Sequence, residues 1–212
     1  MTGLTDLLSD ERLARLDAAL DARLVGLTVL LEDVRQPQNM GACIRTVEAL
    51  GLQDVHVIEG EIPFEPNRAI TQGCEKWVDL HRHPDPATAV ARLRAGGFRV
   101  LATSPDASAT LEELDFGVPS VLCFGNERYG ITPALFELAD TTFRIPMAGF
   151  TRSFNLSVSV GITMHWATRA RRAALGRAGD LGGEAKAALR TRWVKLAVRE
   201  AEAIEAELRR RG

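Results

Sequence analysis

The chain is poor in cysteine, with three in 212 residues: Cys43, Cys74 and Cys123. They are too few and too far apart for a zinc cage or a disulfide framework, and this usage predicts a reducing, cytoplasmic compartment. Long apolar runs are lacking too: no stretch approaches the ~18 residues of a membrane helix, so no membrane span is expected. The first sixteen residues turn acidic early and lack the basic-then-apolar pattern of a secretory signal. Positive charge is not in excess. The 26 Lys and Arg face 28 Asp and Glu, a formal net charge of −2, and the pI is about 6.1. A nucleic-acid partner, if there is one, must therefore be held by local basic patches rather than a global field. Internal repeats and low-complexity tracts are also missing. What is present is ordinary globular composition, 46% hydrophobic and 25% charged, which excludes wholesale disorder. The length suits one domain plus a helical appendage.

Leu13, Leu16, Leu20 and Leu24 fall at helical spacing and predict a helix over about 10–24. The apolar run Leu27–Leu31 reads as a buried strand and Asp54–Ile58 as the next. Between them Pro37-Gln38 reads as a turn, Asn39 as an N-cap and 40–50 as a helix ended by Gly51. Further strands are expected at Lys76–Leu80, Phe98–Ala102, Ser120–Phe124 and Phe143–Ile145. Helices are expected from Pro86 to Gly96-Gly97, from Thr132-Pro133 to Ala139, and from Asn155 to Leu175. Alternation of strand and helix predicts an α/β fold, a mostly parallel sheet with helices on both faces. Glycines 176, 179, 182 and 183 mark a break. Beyond it Leu189, Trp193, Ala197, Ala201, Ile204 and Leu208 predict one amphipathic helix whose apolar stripe favours packing.

Ligands of open α/β sheets collect at the carboxyl ends of strands. GxGxxG, HExxH and GxSxG do not occur, and Gly125–Gly130 has phosphate-loop glycine spacing without the following Lys-Ser/Thr. His81 and His83 could be two metal ligands on one strand face, but no third lies nearby in sequence, and a solvated strand end is the expectation. His56 and His165 read as packed residues. Three segments remain that a purely structural domain does not need. Asn39-Met-Gly-Ala-Cys-Ile-Arg45 places Asn39 and Arg45 about two helical turns apart. Phe124-Gly-Asn-Glu127-Arg-Tyr-Gly130 follows a buried strand with glycines that let a ligand approach the backbone. Ile145-Pro-Met-Ala-Gly-Phe-Thr-Arg-Ser153-Phe-Asn155-Leu-Ser157 runs from a strand end to a helix start, where free N–H groups face ligands.

Together and in this order, the three segments resemble the motifs of the SpoU branch of the SPOUT methyltransferases: Asn…Arg, FGxExxG, then IPM followed by S-x-N-x-S. Leu27–Val34, Lys76-Trp77-Val78 and His83-Pro84-Asp85 are similar to runs of its TrmH subgroup, the tRNA guanosine-2′-O-methyltransferases. The resemblance covers about residues 12–175. It implies a C-terminal trefoil knot in the sheet domain, flanked by N- and C-terminal helical extensions, dividing the chain into residues 1–25, 26–175 and 176–212. It implies transfer of a methyl group from S-adenosylmethionine to the ribose 2′-hydroxyl of guanosine 18 in the tRNA D-loop, leaving S-adenosylhomocysteine and needing no metal. Ribosomal-RNA 2′-O-methylation and a catalytically inactive knotted RNA-binding protein are the alternatives. Carried over by position, Arg45, Asn39, Glu127, Ser153 and Asn155 are the expected catalytic set. Thr103, Gly125, Ile145 and Phe154 are expected to hold the cofactor, Phe154 standing where the subgroup has Leu. Arg169 and Arg171 are expected tRNA contacts, with Arg12, Arg15, Arg23 and Lys76 as weaker ones. A homodimer with each site shared across subunits is implied.

Overall fold

The computed structural model describes residues 3–65 and 67–211, and no side chain at 205, 208, 209 or 211. In chain order the elements are α1 (Asp10–Asp21), β1 (Leu27–Glu32), α2 (Pro37–Ala49), β2 (Asp54–Ile58), α3 (Arg68–Thr71), β3 (Asp79–His83), α4 (Pro86–Ala95), β4 (Arg99–Thr103), β5 (Ala109–Thr110), β6 (Ser120–Phe124), α5 (Pro133–Glu137), β7 (Thr141–Arg144), α6 (Leu156–Leu175), α7 (Gly183–Ala197) and α8 (Ala201–Arg211). They fall into two compact units, one of residues 24–177 and one of the segments before and after.

In the larger unit, seven strands among the described residues form one sheet of order β3-β2-β1-β6-β4-β7-β5, every pairing parallel. Strand side chains alternate between two cores. Val29, Leu31, Leu101, Leu122 and Phe124 pack with Met40, Ile44 and Val47 of α2 and with Val160, Met164 and Ala167 of α6. Leu30, Val100, Ala102, Val121 and Cys123 pack with Ala89, Val90 and Leu93 of α4 and Leu135 of α5. Coverage on both faces is what makes these strands apolar runs without polar alternation. The expected parallel α/β sheet is present.

Several boundaries differ from the sequence reading. The turn expected at Pro37-Gln38 is the first turn of α2: Pro37 occupies the first helical position, where its fixed φ suits a helix and its missing N–H costs nothing. Asn39 is therefore inside the helix and buried, not a cap. The strand expected at Lys76–Leu80 starts three residues later, because left-handed Gln72 and Gly73 lead into a 3-10 turn over Cys74–Trp77. The helix from residue 10 stops at Asp21 rather than 24. In the smaller unit the single helix expected after the glycine break is two, parted where Val198 is extended and Glu200 left-handed with φ 57°. The side chain of Leu208 lies outside the described residues. Arg23, a candidate RNA contact, is 1% exposed, with its guanidinium carbon 4.6 Å from the Trp193 ring centre. It holds this unit together and is not a surface cation. Asp17 also accepts from Arg190 at 2.6 and 3.1 Å.

The β2–β3 register gathers three histidines. His56 stacks on His81 and on His83, with ring centres 4.6 and 5.2 Å apart. His56 Nδ1 and His83 Nε2 are 3.0 Å apart, and His81 Nε2 is 2.7 Å from Asp54 Oδ1. Among the described residues this makes no metal-binding group of three or more His, Cys, Asp or Glu. Burial, then the neighbouring His81, His83 and Arg92, push His56 down from 6.5 to about 3. Burial first, followed by Arg92 and His81, also lowers His83, against an opposing pull from Asp85. The unfolded chain takes up a proton below pH 6.5 that folded His56 refuses. This stability is complete above pH 6.5 and is lost as pH falls toward 3. At pH 5 the loss from His56 is about 2 kcal/mol. Denaturant unfolding of the wild type and His56→Gln should show a shallower pH slope between 7 and 5 in the variant. Equal slopes would remove His56 as the source.

Candidate active site

The carboxyl ends of β4, β6 and β7 open into a cavity of about 560 Å³. The loop after β6 forms one wall and is built tightly. Gly125 is required there: a Cβ would lie 2.1 Å from the carbonyl carbon and oxygen of Gly130. Asn126 and Gly130 exchange backbone hydrogen bonds of 2.9 and 2.8 Å, with Gly130 at φ 72°. The Asn126 side chain is the hub. Its Nδ2 donates to Asp33 O at 2.8 Å and to Asp33 Oδ2 at 3.1 Å, while its Oδ1 accepts from the N–H groups of Arg128 and Tyr129 at 2.8 and 3.2 Å. Further on, Glu32 at the end of β1 is 3% exposed and accepts from Thr132 N and Oγ1 at 2.8 and 2.6 Å. That pair of bonds caps the turn into α5 and fixes the loop's exit to β1.

Glu127 joins this loop to α2. Its carboxylate accepts from Asn39 Nδ2 at 2.9 Å and from the N–H groups of Arg35 and Gln36, both at 3.3 Å. These backbone groups precede α2 and have no intrahelical acceptor, so the carboxylate satisfies donors that a helix start leaves open. Asp33 in turn holds Arg35, with Nε at 3.2 and 3.0 Å from its two oxygens. That hydrogen bond, with the Asp33 charge, holds the Arg35 guanidinium above its ordinary range.

The third wall comes from β7 and the start of α6. Asn155 caps α6, its Oδ1 accepting from Ser157 N at 2.9 Å and Ser157 Oγ at 2.7 Å. Such a cap is worth about 1 kcal/mol. Thr103 donates its hydroxyl proton to Cys123 O at 2.9 Å. The cavity is thus lined by Asn39, Glu127, Ser153 and Asn155 and by Thr103, Gly125, Ile145 and Phe154. None of the cysteines supplies a thiolate nucleophile: burial raises Cys43 to about 12 and Cys74 to about 11, and raises Cys123 as well.

Three expected residues are elsewhere. Arg45 is exposed on α2, its Nη1 donating to Ile70 O at 3.2 Å, and does not line the cavity. Arg169 is exposed on α6. Arg171 is 5% exposed and its Nη1 donates to Phe116 O and Gly117 O at 3.2 and 3.1 Å. It is an internal tie between α6 and the segment before β6, so its assignment as a tRNA contact is corrected. Asn126, Asp33 and Arg35 were not singled out in the sequence. An Asn after the strand-ending Phe-Gly is a turn signal that could have flagged Asn126.

Residues 26–165 match the SpoU rRNA Methylase family. A tRNA (guanosine(18)-2′-O)-methyltransferase of Borreliella burgdorferi is 39% identical over 163 residues, covering 76% of this chain and 75% of that protein. The crystal structure of an A. aeolicus TrmH/SpoU tRNA modifying enzyme aligns at a TM-score of 0.80 and 31% identity, over 90% of this chain and 98% of that one. The SpoU methyltransferase AviRb from Streptomyces viridochromogenes, in complex with AdoMet, aligns at 0.61 and 28% identity, over 68% of this chain and 57% of that one. This chain belongs to the SpoU rRNA methylase family.

Proposed function

We propose that the protein is a cytoplasmic tRNA (guanosine(18)-2′-O)-methyltransferase using S-adenosylmethionine. The observation that carries this reading is the meeting of Asn39, Glu127 and Asn155, from three distant segments, around one cavity at the strand ends. A volume of about 560 Å³ falls within the range of small-molecule sites. Phe124, Ile145 and Phe154 offer an apolar slot for an adenine, and the strand-end loops offer backbone groups to its sugar and amino-acid parts. When bound, this cofactor supplies an electrophilic methyl group on a sulfonium. The trefoil knot is taken from membership of the SpoU family; the sheet order, with β6 between β1 and β4 and β7 beyond β4, is compatible with it.

The chain's own residues must then present and activate a ribose hydroxyl. A free arginine base is costly, since its pKa exceeds about 12. Arg45 therefore acts with an RNA phosphate to orient the hydroxyl and stabilise the developing alkoxide. Asn39 and Glu127 fix the start of the helix that carries Arg45, and Ser153 and Asn155 hold the facing loop. Because Arg45 lies off the cavity of its own protomer, a second copy is needed to bring it there. The outward apolar residues Val158, Ile162 and Trp166 of α6, 46%, 38% and 42% exposed, recur every four residues and form a face that a second copy would cover. Arg169, one turn beyond His165 on the same helix, is the proposed tRNA contact.

Labelled S-adenosylmethionine offered with total tRNA, 16S RNA and 23S RNA in parallel tests the reading. Label is expected in tRNA, as 2′-O-methylguanosine of the D-loop. Label confined to ribosomal RNA, or none in any RNA, would overturn it.

A further inference from the structure

We propose that Tyr129, with Arg128 beside it, is a stacking platform for the nucleobase of the nucleotide whose ribose is methylated. The inference rests on the RNA-methyltransferase reading above. Tyr129 is 71% exposed yet lines the cavity, so its ring stands at the rim rather than in the apolar slot. It is not on a loose loop: Asn126 Oδ1 accepts from its N–H, and the Asn126–Gly130 backbone pair closes the loop around it. The guanidinium carbon of Arg128 lies 5.2 Å from the ring centre, within cation–π reach. A rigid aromatic ring joined to an arginine is the surface on which unstacked RNA bases settle. A ribose hydroxyl reaching into the cavity carries its own base one glycosidic bond away, which brings the base to the cavity mouth.

Tyr129 is the only tyrosine in the chain, so 3-fluorotyrosine gives one fluorine signal. That signal is expected to shift when an unmodified tRNA transcript is added. Tyr129→Ala is expected to raise KM for the transcript about 10-fold, equivalent to ~1.4 kcal/mol. A cooperative unfolding transition like that of the wild type, measured alongside, reports that the variant is folded. Tyr129→Phe keeps the ring and should restore KM. A transcript abasic at the target nucleotide should raise KM for the wild type and no further for Tyr129→Ala, the mark of a coupled pair. Unchanged KM in Tyr129→Ala, with the wild type labelling tRNA, would overturn this proposal alone. Absence of labelling by the wild type would overturn the activity on which it rests. A fluorine shift that follows protein dilution and not RNA would place Tyr129 between copies of the chain and also overturn the platform.

Discussion

Arg45→Ala is expected to lower turnover on tRNA at least ~10²-fold, the scale of a lost proton-transfer or alkoxide-stabilising group, while cofactor affinity stays as in the wild type. The separation follows from geometry: the side chain lies outside the cavity wall, where its Nη1 donates to Ile70 O at 3.2 Å. Mixing supplies a stronger test. In a shared site, the Arg45 of one copy meets the cavity of the other. Co-folded Arg45→Ala and Asn155→Ala chains, each inactive alone, should recover about a quarter of wild-type activity: Asn155 belongs to the cavity and not to the helix that carries Arg45, half the dimers are mixed, and each of those has one intact site of two. No recovery would show that Arg45 serves its own protomer. Near-normal turnover of Arg45→Ala alone would remove it from the mechanism.

Gly125→Ala should abolish cofactor binding with much less damage to the fold. The added methyl group would meet backbone, 2.1 Å from the Gly130 carbonyl and 2.2 Å from Ile131 N, and backbone cannot turn aside as a flexible side chain does. The loop must open, and Glu127 and the cavity wall move with it. Overpacking costs typically about 1–3 kcal/mol, which a domain of ordinary stability survives. Calorimetric titration with S-adenosylhomocysteine should show affinity down by ~10²-fold or more, with a cooperative unfolding transition still present. Gly130→Ala is the control. A Cβ there meets nothing within 4 Å, so its cost is the left-handed backbone alone, about 1 kcal/mol. Equal effects at the two positions would mean that strain, not the clash, sets the loop.

Much of the sheet was readable because buried parallel strands are apolar runs; Ser120–Phe124 and Asp54–Ile58 were placed to the residue. Strand order was not readable, since no local signal tells β6 to lie beside β1 rather than after β5. The histidine cluster was hidden for the same reason: His56 and His81 are opposed only through the parallel register of β2 and β3. β5, two residues long, is too short for any period to show. Arg171 illustrates a signal present but overruled. Val160, Thr163, Met164, Ala167, Thr168 and Arg171 are the buried face of α6, recurring at three and four residues, and that stripe places Arg171 inward. At the site, the motif residues were legible as residues, while Asn126 and Asp33, which hold the loops together, carried little beyond ordinary turn chemistry.

The placement of β6 between β1 and β4 also bears on how the chain is made. A ribosome releases β1 and β4 before the strand that must separate them, so the nascent chain spends part of its synthesis with an empty lane at the sheet's centre. Two apolar ladders, exposed together, invite premature pairing with each other. The central pairing of the sheet is therefore long-range in sequence and can form only once β6 is made, the kind of contact that slows folding.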